Sequence, residues 1–144
     1  MKVTGTILVQ QSPSELWSLL LDPEVLRHCV PGCEEIEREA DDLYRVKLKV
    51  GFGLVRGRFK GHVRIVDPVE EERYTIQVNA RGTTGFVEGK TSIVLNTLDS
   101  RQRTELAYEG EAHIGGALAS VGSRLFQGAI RSFQKEFFKR LAAL

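Results

Sequence analysis

The chain of 144 residues has one tryptophan, one methionine, two cysteines, four prolines and a formal net charge of only +1 at pH 7. Each shortage removes a class of protein. Near-neutrality withholds the strongly basic surface that general nucleic-acid binding needs. In a reducing compartment the two cysteines are not expected to form a disulfide. Cys29 and Cys33, even with His28 beside them, lack the fourth ligand and the spacing of a zinc site, so no metal is expected. Cys29 reads instead as a small buried hydrophobe on a short helix. No run approaches the roughly 20 apolar residues that span a bilayer. Met1-Lys2-Val3-Thr4-Gly5-Thr6-Ile7 reads as a strand without the apolar core of a signal peptide, which makes a cytoplasmic location the default.

What is present is ordinary in bulk. Hydrophobic residues make up 42% and charged residues 27%, the balance of a soluble globular protein. The length fits one domain over residues 1–144, able to bury roughly two-thirds of its extended-chain surface around one core. No internal repeat, low-complexity tract or linker divides it.

After the first strand, Ser12-Pro13-Ser14-Glu15 is a helix start. Ser12 can cap the free amides, Pro13 suits the first helical position, and Glu15 completes a capping box. Asp22-Pro23 stops this helix and caps a second short one through about His28. From Cys33 the pattern predicts strands over 33–39, 42–51, 53–66, 72–81, 84–97 and 102–114, with turns at Asp41-Asp42, Asp67-Pro68 and Asp99-Ser100. From Ala117 to Leu141 the spacing turns helical, with Leu118, Val121, Gly122, Leu125, Ala129, Phe133 and Phe137 sharing a broad face. The predicted class is α+β: a seven-stranded curved antiparallel sheet wrapped around a long C-terminal helix, with two short helices after the first strand.

Within the strands, apolar residues alternate with charged ones. Gly57, Phe59, Gly61 and Val63 face one side while Arg56, Arg58, Lys60 and His62 face the other, the period of two of a half-buried strand. The same alternation turns Gly89 inward with Val87 and Thr91, and Gly110 inward with Tyr108. Gly57, Gly61, Gly89 and Gly110 thus stand where a packed sheet normally places Val, Ile or Phe. They mark either a hollow or bends where a long sheet curls around its helix, and the two readings are compatible. A hollow lined by these residues, by Tyr74, and by Gly122 and Leu125 of the helix would suit an apolar small molecule, with a few hydroxyls to orient it. Tyr44, Tyr74 and Tyr108 each have a plainer reading, a packed ring whose hydroxyl meets a backbone carbonyl or water.

On the outer face, Arg45, Lys47 and Lys49 should lie beside Arg56, Arg58 and Lys60, an unfavourable crowding of like charge. Glu35 and Glu37 on the edge strand can relieve it. So can an acidic enzyme partner or anionic lipid headgroups, which makes these six cations candidate docking residues. Catalytic machinery is not legible: His62 and His113 face outward, and no inward His–carboxylate pair is available for acid–base work. There is no P-loop or dinucleotide fingerprint. Gly82-Thr83-Thr84-Gly85 lacks the Lys that a phosphate loop requires and reads as a strand connection.

The run from Leu16-Trp17-Ser18 through Asp22-Pro23-Glu24-Val25-Leu26, followed by Cys29-Val30-Pro31-Gly32-Cys33-Glu34, resembles the CoxG family, named for the G subunit of carbon monoxide dehydrogenase. That family is a branch of the START-like, or polyketide cyclase-like, superfamily. Val55-Arg56-Gly57-Arg58-Phe59-Lys60-Gly61, Gly85-Phe86-Val87-Glu88-Gly89 and Gly115-Gly116-Ala117-Leu118 agree with it. The resemblance implies a helix-grip fold with an apolar cavity between sheet and long helix. It also implies association with molybdenum-containing carbon monoxide dehydrogenases, which such proteins are implicated in recruiting to the cytoplasmic membrane, or in serving as quinone carriers. Longer members carry a hydrophobic C-terminal segment. With Leu144 directly after the helix, peripheral membrane contact is expected through the domain's own surface. The leading expectation is a non-catalytic carrier or adaptor with no cofactor other than a bound quinone or lipid. The alternatives are a cyclase or aromatase using Tyr108 or Thr91 in the same pocket, and an assembly factor docking through the basic face.

Overall fold

The computed structural model describes residues 1–98, 100 and 102–144. Strands β1 (Lys2–Val9), β2 (Cys33–Ala40), β3 (Leu43–Phe52), β4 (Val55–Val69), β5 (Arg73–Gly82), β6 (Gly85–Leu98) and β7 (Arg103–Gly115) form one antiparallel sheet, in the order β1-β7-β6-β5-β4-β3-β2. The meander from β2 to β7 pairs each strand with its successor, and β1 returns to close on β7. Helices α1 (Pro13–Leu21) and α2 (Pro23–Cys29) carry the chain between the two edges, and α3 (Ser123–Ala142) follows the last strand. The backbone of α3 comes nearest to α2, β1 and β3. It therefore bridges the two flanks of a sheet that curls up on either side of it.

The local signals work as their chemistry predicts. Ser12 Oγ accepts from the Glu15 amide at 3.3 Å and Pro13 opens α1; Asp22 Oδ1 accepts from the Glu24 amide at 2.9 Å and Pro23 opens α2. Asp41 and Asp42 make the β2–β3 turn. Asp67-Pro68 does not end its strand. β4 runs on to Val69, and Asp67 takes a left-handed φ of 49° at a register shift between Val66 and Val69. A proline has no N–H to give a ladder, so it sits in this bulge while the turn moves on to Glu70 and Glu71. Asp99, in the third expected turn, lies outside the described residues.

The C-terminal helix differs from the single helix that the spacing predicts. A short 3-10 helix, Gly116–Val121, comes first, and Gly122 breaks it from α3 with a φ of 88°. No helix passes through that conformation, and an L side chain adopts it only with strain. The break resets the phase of the helix beyond it. Phe126, Phe137 and Leu141 are the buried positions of α3, while Leu125 is 54% exposed.

A candidate ligand cavity between sheet and helix

The interior is divided. At the end where α1 and α2 pack, Leu16, Leu20, Cys29, Tyr74, Leu106, Phe137 and Leu141 belong to one apolar cluster. At the opposite end Val55, Phe59, Ala80, Leu118 and Phe126 form a second. Between them, Val46, Leu48, Val63, Val78 and Phe133 pack into neither. The cross-strand row that runs beneath the helix here is Val63–Val78–Gly89–Ala112; all four are partly exposed, Val78 and Gly89 in part toward the groove on the outer face. Protein interiors are close-packed and leave few voids larger than a water. A row of small side chains between two separate clusters is therefore where an interior space would lie.

The inward glycines divide by role. A β-carbon on Gly61 would collide with the backbone carbonyl of Asn79 and the Cα of Ala80, and one on Gly110 with the carbonyl of Lys90 and the Cα of Thr91. These two allow adjacent strands to press together where the sheet curls, which is the curvature reading. At Gly89 the nearest atoms to a β-carbon would stand 3.0 Å (Glu111 O) and 3.6 Å (Ala112 Cα) away, a contact that a small shift can relieve. Gly57 lies against the hydroxyls of Thr83 and Thr84 beyond the second cluster. Elsewhere aromatic rings cover glycines across paired strands, Tyr108 over Gly5, Phe59 over Gly82 and Phe86 over Gly115, restoring contacts the glycines cannot make.

The other expected lining residues are dispersed. Val63, Gly89, Thr91 and Gly110 reach the middle of the sheet, Tyr108 packs against the cluster at the α1 end, and Phe59 and Val87 belong to the cluster at the other. Tyr74 is core at the other end. Its ring stacks edge-on with Trp17 at 5.5 Å, and burial pushes its hydroxyl far above the ordinary tyrosine range. Two helix positions need correction: Leu125 points to solvent and Gly122 is a break with open space around it, because the left-handed residue rotates the helical face.

Among the described residues two polar contacts join sheet to helix: Gln127 Nε2 donates to the Lys2 carbonyl at 3.0 Å, and the second was not singled out by the sequence pattern. The Tyr108 hydroxyl donates to Gln134 Oε1 at 3.1 Å. Gln134 lies four residues after Ile130 and three before Phe137, in the middle of the inward stripe of α3. A lone glutamine on an apolar stripe is a readable signal, but only once the phase set at Gly122 is known. Tyr44, by contrast, donates to the Leu21 carbonyl at 2.7 Å and stays with the α1 end.

On the outer face, β2 supplies the counter-charge. Arg45 meets Glu35, Glu37 and Glu39 at 3.0, 2.6 and 3.6 Å, and Lys47 meets Glu35 at 3.2 Å. The bond from Lys47, and then Arg45, holds the Glu35 carboxyl below the usual range. Arg58 reaches Glu34 at 4.0 Å, and Arg56 Nε donates to the Gly53 carbonyl at 2.7 Å. Among the described residues Lys49 and Lys60 form no ion pair. An open groove of about 830 Å³ crosses this face, lined in part by Lys60, His62, Arg64, Arg81 and Lys90.

A curled antiparallel sheet closed by a C-terminal helix, with short helices after the first strand, defines the START-like helix-grip class. A START superfamily protein from Mycobacterium smegmatis superposes with a TM-score of 0.72 at 15% identity, over 99% of this chain and 94% of that one. The Zhui aromatase/cyclase from Streptomyces does so with 0.69 at 17%, over 99% and 92%. A conserved protein from Geobacillus kaustophilus is much nearer, with a TM-score of 0.93 at 29% identity, over 99% and 93%. The sequence pattern of the carbon monoxide dehydrogenase G subunit (CoxG) matches residues 5–143, and the chain belongs to that family. A search of curated proteins finds no match. Among the described residues no helix is long and apolar enough to cross a membrane.

Proposed function

We propose that the chain is a non-catalytic carrier that holds an apolar molecule, quinone- or lipid-like, between the central strands and α3, and hands it between a carbon monoxide dehydrogenase-type oxidoreductase and the membrane. The observation that carries this reading is the divided interior: the row Val63–Val78–Gly89–Ala112 lies beneath the helix and between two apolar clusters. A space there would be apolar, bounded by strands and helix and oriented by few polar groups, the usual character of a site for a greasy ligand. Membership of the CoxG family supplies the kind of partner. Lys49 and Lys60, without an ion pair among the described residues, and the groove on the outer face with Lys60 and Lys90 offer an acidic enzyme surface a place to dock.

Native mass spectrometry of the purified protein, before and after solvent extraction, tests the carrier reading. An adduct of one apolar molecule is expected, or saturable uptake when quinones and lipids are offered to extracted protein. A chain that stays empty through both would overturn it.

A further inference from the structure

We infer that Gln134 reads the ligand: its side-chain amide donates a hydrogen bond to a neutral oxygen, a carbonyl or its equivalent, on an otherwise apolar molecule. The inference rests on the carrier reading and adds the ligand's chemical class to it.

Gln134 occupies the centre of the inward stripe of α3, a position where Ile130 before it and Phe137 after it both join the apolar clusters. Its Oε1 is already engaged by the Tyr108 hydroxyl at 3.1 Å. Tyr108 is itself held in place, since its ring lies across Gly5 on the paired strand, where any β-carbon would displace the hydroxyl. With the oxygen committed to Tyr108, the amide has one orientation, and its two N–H donors are turned away from that bond. Among the described residues Nε2 has no hydrogen-bond partner, and it is not sealed from solvent. An oriented, unpaired, reachable donor within an apolar stripe is what a ligand oxygen needs.

The surroundings narrow the class further. The residues of the middle row, Val63, Val78, Gly89 and Ala112, and the adjacent Thr91 and Phe133 carry no charge. A carboxylate or ammonium ligand would lose its hydration there without gaining a counter-ion. A neutral ketone, quinone or ester loses little on entry, and its oxygen recovers a hydrogen bond from Gln134. Tyr108 is then a positioning residue that acts through Gln134.

The test uses extracted, full-length protein and two probes of matched size, acetylnaphthalene and isopropylnaphthalene, titrated by calorimetry. Wild type should bind the ketone about tenfold more tightly than the hydrocarbon. The infrared carbonyl band of the bound ketone should move to lower frequency. Gln134→Met should abolish both the preference and the band shift while leaving hydrocarbon binding intact. Tyr108→Phe, which leaves the amide free to turn, should reduce both, and it gives a second reading should Gln134→Met fail to fold. Equal binding of the two probes by wild type, a band shift that survives in Gln134→Met, or one undiminished in Tyr108→Phe would overturn the role of Gln134 and leave the cavity standing. Binding of neither probe would overturn the carrier reading and this inference with it.

Discussion

Gly61 on β4 lies so close to β5 that a β-carbon there would meet the backbone carbonyl of Asn79 before it reached the interior. At Gly89, two strands away on the same inner face, a β-carbon would stand 3.0 Å from the Glu111 carbonyl and 3.6 Å from Ala112 Cα, a tight contact but not a collision. Identical residues in similar sequence settings thus do different physical work.

The cost of adding one methyl group follows from that difference. Gly61→Ala and Gly110→Ala should each destabilise by about 1–3 kcal/mol, because only backbone can yield. Gly89→Ala should be close to neutral, since its tight contact with the Glu111 carbonyl is offset by about 0.4–1 kcal/mol gained from a stiffer unfolded chain. Urea denaturation of the three variants measures this, and equal losses would refute the distinction.

Filling the middle row should block uptake without harming the fold. Val78→Phe adds a ring where neither apolar cluster reaches, so thermal stability should hold or rise while adducts in native mass spectra disappear. A loss of about 1–3 kcal/mol, the usual cost of overpacking, would show that the space is not there.

The phase of α3 predicts opposite outcomes at adjacent positions. Phe126→Ala should cost about 3–5 kcal/mol as a buried aromatic, whereas Leu125→Ser should stay within about 0.5 kcal/mol as an exposed one. Comparable losses at both would mean that the helix is rotated from the position described.

Acid should loosen the β2–β3 pairing through Glu35. Its folded-state pKa is lowered, first by the bond from Lys47 and then by Arg45. Its contribution is therefore present above the unfolded carboxylate value, about 4.3, and is lost as pH falls through the lower folded value. Glu35→Gln should flatten the acid limb of the melting temperature against pH. The effect will be modest for so exposed a pair, and an unchanged acid limb would remove Glu35 from the account.

Both cysteines should be sluggish toward alkylation. Burial, the leading cause at each, raises the Cys29 and Cys33 thiols, so less thiolate is present near pH 8 than in a free cysteine. Cys33, half-buried, should react before the fully buried Cys29. Iodoacetamide labelling followed by peptide mass analysis would show the order, and faster labelling of Cys29 would contradict its place in the core.

Much of this architecture is legible in the chain because alternation is a strong signal. The inner and outer faces of β4 and β7 can be assigned from Phe59 against Arg58 or Leu106 against Glu105, and the caps at Ser12 and Asp22 announce their helices. What is not legible depends on backbone geometry that composition does not encode. Gly122 looks like a helix residue until its φ of 88° is known, and Leu125, expected on the inner face, then turns to solvent. Asp67-Pro68 has the composition of a turn, but the register of β4 against β5 makes it a bulge. The glycines could be placed on the inner face from sequence. Whether each admits curvature or withholds volume depends on how near the next strand stands, a tertiary distance. The relief of the outer cations was foreseeable from Glu35 and Glu37, yet the reach of Arg45 to Glu39 requires the strand's twist.

The acidic strand that neutralises the outer face has a second consequence, for the solution behaviour of the protein. β2 is an edge of the sheet, where unpaired backbone groups invite another strand. Along it stand Glu34, Glu35, Glu37 and Glu39, and its ladder with β3 slips in register twice. A second copy approaching that edge would bring carboxylate against carboxylate along a kinked backbone. The same residues that let a crowded basic face fold therefore keep an open sheet from growing into its neighbours.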